Sequence, residues 1–290
     1  MAIIADEKTK VCIQGITGKQ GSFHLRQMLD YGTRVVAGTS LERGAADISG
    51  VPVYSTVEEA VDRRGATASI LFVPAPAAKD AAFEAIEAGI ALLVVVTEYL
   101  PVHDAMEIMA FAAEHNTTVV GPNTFGIISP GKTKLGIMPN QIYAPGPVGV
   151  IARSGTLSYE IVDQLTRAGI GQSTVIGLGG DRVHGCSFTD CLRYMERDGD
   201  TKAIVLVGEI GGRAEEDAAE FSKGMTKPLV AYIAGRTAPE GKRMGHAGAI
   251  IERGKGTFAA KVEALRRGGA AIAELPSEVP GLVQAALAKG

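Results

Sequence analysis

The sequence predicts an α/β fold built on parallel sheets, and three observations carry that prediction. Apolar runs of strand length alternate with helical patterns along most of the chain, the arrangement that buries a parallel sheet between layers of helix. Glycine is abundant, at 37 of 290 residues, and Trp is absent, which suits close packing of strands, turns and helices. With 46% apolar and 21% charged residues the chain is folded rather than disordered, and its length leaves room for two cores.

The elements follow in order. Lys10–Gly15 reads as a strand that ends in the turn Gly15–Gly21, and a helical pattern runs on through Phe23, Leu25, Met28 and Leu29. Further strands are expected at Arg34–Gly38, Ala68–Val73, Ile90–Val96 and Thr117–Val120, with helices around 57–61, 78–88 and 103–114. The segment Gly121–Pro147 is rich in Gly and Pro and lacks a helical period, so residues 129–147 are expected to be a crossover between two α/β domains, with room for a short hairpin. Val148–Ala152 then forms a strand and Leu157–Arg167 an amphipathic helix. Strands at Ser173–Gly177, Ala203–Gly208, Leu229–Ala234 and Ala270–Ala273 complete the second half. The expected division is 1–128, 129–147 and 148–290.

Composition removes several functions. A net charge of −3 gives no electrostatic footing for nucleic acid or an anionic membrane. Three irregularly spaced cysteines, Cys12, Cys186 and Cys191, make neither a disulfide framework nor a zinc site; no metal site is expected, and Cys186 and Cys191 are read as packing residues. The first residues lack the plan of a signal peptide, and the longest apolar run is too short to span a bilayer. The expected location is cytoplasmic.

Parallel sheets bind ligands beyond the carboxyl ends of their strands, and three turns there can hold anions. Gly15–Gly21 lies between a strand and a helix, where backbone N–H groups can meet a pyrophosphate. Its G-x-x-G-x-x-G spacing is not the dinucleotide pattern, and an ordinary turn reads the same way. After the second strand, Glu42 suits a ribose hydroxyl and Arg43 a phosphorylated ribose. Ser154-Gly155-Thr156 opens the helix after Val148–Ala152, as an anion cradle or as a plain N-cap. The third turn, Gly121–Gly126, can place backbone donors and Asn123 around a carboxylate.

A histidine stands out as well. His246 lies in Lys242–Ile251 with Gly245 and Gly248 beside it, so a bulky group can approach the imidazole, which is a good nucleophile when neutral. Glu209, at the end of a buried-looking strand, can hold one ring nitrogen and leave the other free. Glu215, Glu216, Asp217 and Glu220 read as the wet face of the next helix. His24, His103 and His115 fall in helical patterns and are read as surface or core residues.

The chain resembles the α subunits of succinyl-CoA synthetase and the related malate–CoA ligases over nearly its full length. The matching motifs are G-I-T-G-K-Q-G at 15–21, V-P-A-P at 73–76, G-P-N at 121–123, R-S-G-T-L-S-Y-E at 153–160, G-L-G-G-D at 177–181, G-E-I-G-G at 208–212, and the long run to G-K-R-M-G-H-A-G-A-I ending at 250. The resemblance implies a Rossmann-like CoA-binding domain followed by a flavodoxin-like parallel α/β domain. Coenzyme A would rest on Gly15, Thr17, Gly18, Lys19, Gln20, Gly21, Arg43, Val73, Pro74, Thr97 and Glu98. His246 would carry a phosphoryl group, oriented by Glu209 and cradled by Ser154, Gly155 and Thr156, while Asn123, Thr124 and Phe125 would face a small dicarboxylic acid, succinate by default. ATP or GTP with Mg would bind an ATP-grasp β subunit in a heterodimer or heterotetramer.

Departures from the family pattern bear on the acid more than on the reaction class. Thr124-Phe125 replaces Cys-Pro, Tyr99-Leu100 replaces Gly-Ile, Arg182-Val183 followed by His184 replaces Pro-Ile, and Leu41–Gly44 replaces a P-G-K-G loop. The competing functions are an NADP-type dehydrogenase, which leaves the long motif around His246 unexplained, and a CoA-binding regulatory module, against which the retention of Glu209 and His246 argues.

Overall fold

Among the described residues, two seven-stranded sheets, each covered by helices, organise the fold. The computed structural model describes residues 3–40 and 47–288. In the first half the order is β1 (Val11–Gln14), α1 (Lys19–Asp30), β2 (Val35–Thr39), β3 (Asp47–Ile48), β4 (Val51–Tyr54), α2 (Val57–Arg64), β5 (Ala68–Leu71), α3 (Ala75–Glu87), β6 (Leu92–Val95), α4 (Val102–Glu114) and β7 (Thr118–Val120). These strands align as β3-β4-β2-β1-β5-β6-β7, all pairs parallel except the short β3–β4 ribbon. Every residue of β1, β5 and β6 is buried, as expected of parallel strands packed on both faces.

The second half follows with β8 (Gly126–Ser129), β9 (Thr133–Gly136), β10 (Pro145–Ala152), α5 (Gly155–Arg167), β11 (Gln172–Gly177), α6 (Phe188–Arg197), β12 (Ala203–Glu209), α7 (Ala214–Ser222), β13 (Leu229–Ala234), α8 (Phe258–Arg267), β14 (Ala271–Ala273) and α9 (Val279–Leu287). Its sheet runs β14-β13-β12-β10-β11-β8-β9, parallel from β14 to β11 and antiparallel at β8 and β9. The chain leaves β10 toward β11 and leaves β12 toward β13, so the helices after β10 and β12 diverge and leave a crevice at the carboxyl edge.

The expected crossover is more structured than its composition indicates. Residues 126–136 form a hairpin that extends the second sheet, and position 128, the expected domain end, lies inside β8. The Gly-rich sequence there serves close backbone approach: a Cβ at Gly126 would run into the carbonyl oxygen of Leu135. The hairpin also ties the halves together, since Ser129 donates to the Ala5 carbonyl at 2.8 Å and Thr33 to the Lys134 carbonyl at 2.8 Å.

Local signals explain the elements that matter for the site. The helix α6 buries Phe188, Cys191, Leu192 and Met195, an i, i+3, i+4, i+7 stripe. A capping box starts it, with Ser187 accepting from Asp190 N at 3.1 Å and Asp190 accepting from Ser187 N at 3.1 Å. Burying each large side chain of that stripe contributes about 1.5–3 kcal/mol, and Phe188, fully buried, is the one whose loss would loosen it most. All three cysteines are buried. Among the described residues no helix is long and apolar enough to cross a membrane.

Candidate active site

The carboxyl edge of the second sheet gathers three segments that are far apart in sequence. β10 delivers Arg153 and Ser154, β12 ends on Glu209, and the irregular segment after β13 crosses the edge carrying His246. Two glycines seat that segment. A Cβ at Gly180 would run into the His246 ring, and one at Gly211, where φ is +93°, would run into the Gly248 carbonyl. Gly248 N donates to the Gly180 carbonyl at 2.9 Å, and Ala249 N to that of His246 at 3.1 Å. The imidazole therefore lies over the strand ends by backbone design.

Glu209 holds the ring. Its two carboxylate oxygens lie 2.8 and 3.0 Å from Nδ1 of His246. The carboxylate is buried, whereas the imidazole side chain remains 30% exposed. The hydrogen bond to Glu209 raises the His246 pKa above the ordinary imidazole range, against burial, which lowers it. With Nδ1 engaged, Nε2 is the nitrogen left for chemistry.

Glu209 is itself fixed by a run of buried charges. The Nε of Arg153 lies 3.5 Å from Glu209 Oε1, and its Nη1 lies 3.9 Å from Glu215 Oε1. Glu215 accepts from Glu209 N at 3.2 Å and is ion-paired with Lys261, which also lies 3.0 Å from Glu216. Lys261 and Glu215 are fully buried. This corrects the reading of Glu215 as part of a wet helix face: it turns under β12, into space left by Gly208, where a Cβ would lie 2.7 Å from Glu215 Cγ. Charges so deep are stable only because signs alternate along the run. Sequence periodicity places Glu215 beside Glu216 and Asp217 and carries no sign of a Lys 46 residues away; a Gly on the inward face of β12 is the only hint.

Ser154 is the N-cap of α5, and its hydroxyl accepts from Leu157 N at 3.5 Å, while Gly155 and Thr156 form the first turn. That turn has no acidic residue, so its dipole and N–H groups stay available to an anion.

The turn after β7 reaches this edge from the first half. Asn123 (φ +55°) donates from Nδ2 to Asp181 Oδ1 at 3.0 Å, and the Asp181 carbonyl accepts from Arg153 Nη2 at 3.5 Å. Asn123 is thus beside the His246 site. Thr124 and Phe125 are placed otherwise than expected. The Thr124 hydroxyl donates to the Gly177 carbonyl at 2.6 Å and accepts from Gly126 N at 2.9 Å, and the residue is buried. Phe125 is buried edge-on against Tyr159, with ring centroids 5.7 Å apart. Both are packed into the protein beneath the turn.

The carboxyl edge of the first sheet has a different character. Gly15 (φ +81°) turns the chain after β1, and its N–H reaches the Thr39 carbonyl at 3.1 Å. A Cβ at Gly21 would run into the Gly15 carbonyl, so the helix can close onto the turn only with glycine there. Gly18 is the N-cap of α1 with no side-chain cap, and no acidic residue sits in the first turn. The N–H groups of Lys19, Gln20 and Gly21 therefore face outward, a fit for a pyrophosphate. Thr17 shares a 2.8 Å hydrogen bond with Ser40, and Thr97 donates to the Val73 carbonyl at 2.8 Å, tying the turn after β1 to that after β2 and the turn after β5 to that after β6. Pro74 caps α3, and Glu98 is exposed. Arg43 and its neighbour Glu42 lie outside the described residues.

Comparison with known proteins agrees with this division of labour. A CoA-binding domain model matches residues 6–99 and a CoA-ligase model residues 151–271. The fold is that of a CoA ligase chain. The chain belongs to the succinate–CoA ligase α-subunit family: it is 57% identical to the ADP-forming succinate–CoA ligase subunit alpha 2 of Archaeoglobus fulgidus, over 98% of this chain and 99% of that one. Identity is 55% to the subunit of Methanothermobacter thermautotrophicus (98% and 97% covered) and 50% to that of Staphylococcus aureus (100% and 97%). Among solved structures, ATP citrate lyase from Methanothrix soehngenii, in complex with citrate and coenzyme A, superposes with a TM-score of 0.90 at 26% identity. The match covers 99% of this chain and about half, 51%, of that one.

Proposed function

We propose that the chain is the α subunit of an ADP- or GDP-forming acid–CoA ligase that works through a phosphohistidine at His246, with a small dicarboxylate, succinate first among them, as the acid. The observation that carries this reading is the Glu209–His246 pair at the edge of a sheet whose sister edge is shaped for a pyrophosphate. Nε2 of His246 would take the γ-phosphoryl group of an NTP bound on an ATP-grasp β subunit, with Mg there and NDP as the leaving group. It would then pass the phosphoryl group to a carboxylate oxygen of the acid, which regenerates the imidazole. The thiolate of coenzyme A, bound along the first edge, displaces phosphate from the acyl phosphate to give the thioester.

The chain's own residues have defined tasks in this scheme. Glu209 fixes the ring and stabilises its positive charge. The Ser154–Thr156 turn receives phosphoryl oxygens, and Asn123 holds the acid's second carboxylate. Thr124 and Phe125 act on acid choice only through the height of the turn above them. The test uses coexpression with a candidate β subunit and a γ-labelled NTP. The complex should acquire an acid-labile, base-stable phosphate that succinate and CoA discharge together, and His246→Ala should acquire none. Labelling of His246→Ala at the wild-type level would refute the assignment, and a monocarboxylate such as acetate giving the highest kcat/KM would refute the dicarboxylate.

A further inference from the structure

A cavity whose wall carries several cationic side chains lies behind the His246 segment. It measures about 950 Å³ and opens between Gly248–Lys255 and the N-terminal ends of α6 and α7; neither His246 nor Glu209 lines it. Its wall carries Arg153, Arg182, Arg213, Arg253 and Lys255 against two carboxylates, Asp217 and Glu252. Those carboxylates are already engaged, Glu252 by Arg182 at 2.6 Å and Asp217 by Arg213 at 3.0 Å. Arg153 is held at the floor by Glu209 and Glu215. Among the described residues Arg253 and Lys255 have no ion-pair partner, so the cavity carries uncompensated positive charge.

The rim is built rather than loose. Arg253 has a left-handed backbone, φ +52°, which a residue with a Cβ adopts only when its surroundings fix it. Lys255 N donates to the Glu252 carbonyl at 3.0 Å, Gly254 N to Glu240 at 2.8 Å, and Gly211 N to the Gly256 carbonyl at 2.8 Å. Those bonds anchor the turn to the same Gly211 that seats the His246 segment. Arg182 joins the two sites directly: its Nε donates to the Ala247 carbonyl at 3.2 Å, one residue past His246, while its Nη2 reaches Glu252.

From this arrangement we infer that the cavity is a binding site for a small polyanion carrying more than one phosphate group, separate from the CoA edge, and that its occupancy stiffens the His246 segment. A guanidinium and an ammonium with no carboxylate partner, Arg253 and Lys255 on one cavity wall, suit phosphoryl oxyanions. The volume, at the upper end of small-molecule sites, exceeds what a single phosphate fills. A ligand that engages Arg253 and Lys255 relieves their mutual repulsion and, through Arg182, restrains residues 247–252 from both ends. The binding claim does not depend on phosphorylation of His246.

The test is calorimetric titration of inorganic pyrophosphate into the full chain presaturated with CoA, at low ionic strength, with hydrogen exchange followed over residues 244–252. The wild type should bind and slow exchange there. Arg253→Gln/Lys255→Gln should weaken binding at least tenfold and lose the exchange effect while still binding CoA, which shows that it is folded. His246→Ala should bind pyrophosphate as the wild type does, whatever becomes of the phosphohistidine. Equal affinity in the wild type and the double variant would overturn the site. So would a pyrophosphate signal that CoA abolishes, citrate binding as tightly as pyrophosphate, or a signal lost on adding a β subunit, which would assign the cavity to subunit contact.

Discussion

At the carboxyl edge of the first sheet the chain presents backbone N–H groups, and the buried polar side chains at the strand ends there, Gln14 and Thr39, are uncharged. At the corresponding edge of the second sheet Lys261, Glu215, Arg153 and Glu209 form a buried run of alternating charge that ends on an imidazole. The two edges share a topology and differ in electrostatics. An N–H rim with glycine clearance holds a polyphosphate and releases it unchanged. A dry, fixed carboxylate beside a nucleophile sets its orientation and protonation before any ligand arrives. Under the proposed function, the same sheet plan would serve docking on one side and covalent chemistry on the other.

That contrast makes the two edges respond differently to loss of a cation. Lys261→Met leaves the Glu215 carboxylate buried without its partner, and breaking such a pair costs about 3–5 kcal/mol. Lys19→Met, at the exposed start of α1, should stay within about 0.5 kcal/mol. Urea melts of the two variants decide this, and equal midpoints would erase the distinction.

The glycine seat of the first edge should show the next largest effect. Gly21→Ala places a methyl group against the Gly15 carbonyl, at a cost on the order of 1–3 kcal/mol for an overpacked site. CoA affinity should fall with it, while phosphorylation of His246 in the complex persists. Loss of both activities together would mean that the edges are not separable.

The smallest effect concerns protonation. The folded His246 pKa lies above its unfolded value, near 6.5. The Glu209 bond therefore stabilises the fold fully below about pH 6.5, and this contribution is lost as pH rises through the folded pKa. In Glu209→Gln the imidazole pKa should move down, and the stability gap to wild type should narrow between mildly acidic and mildly alkaline pH. NMR titration of the His246 ring measures the shift, and an unmoved pKa would remove Glu209 as its cause.

The parallel strands are legible in the sequence because each rests on a local pattern, whereas the Glu209–His246 pairing spans 37 residues and is legible through the motifs at 208–212 and 233–250. Strand alternation reports β1, β5, β6 and β10–β13, and Glu209 falls on a strand end ahead of two glycines. What escapes is what depends on distant partners. The turn of Glu215 toward Lys261 reflects a contact across 46 residues. The double use of the Thr124 hydroxyl depends on Gly177, 53 residues on. The Gly-rich stretch leaves room for a hairpin, but its start at Gly126, ahead of position 128, and its pairing with β11 depend on that distant strand. The stripe of α6 is readable in retrospect, with Ser187 and Asp190 spaced for a capping box.

Glu209 occupies Nδ1 of His246, and in the proposed reaction this leaves Nε2 to accept the phosphoryl group. The most direct test is to phosphorylate the complex made with ¹⁵N-histidine and to record phosphorus–nitrogen coupling by NMR, which distinguishes the two ring positions. The phosphoryl group should reside on Nε2 of His246; a phosphoryl group found on Nδ1 would contradict the account.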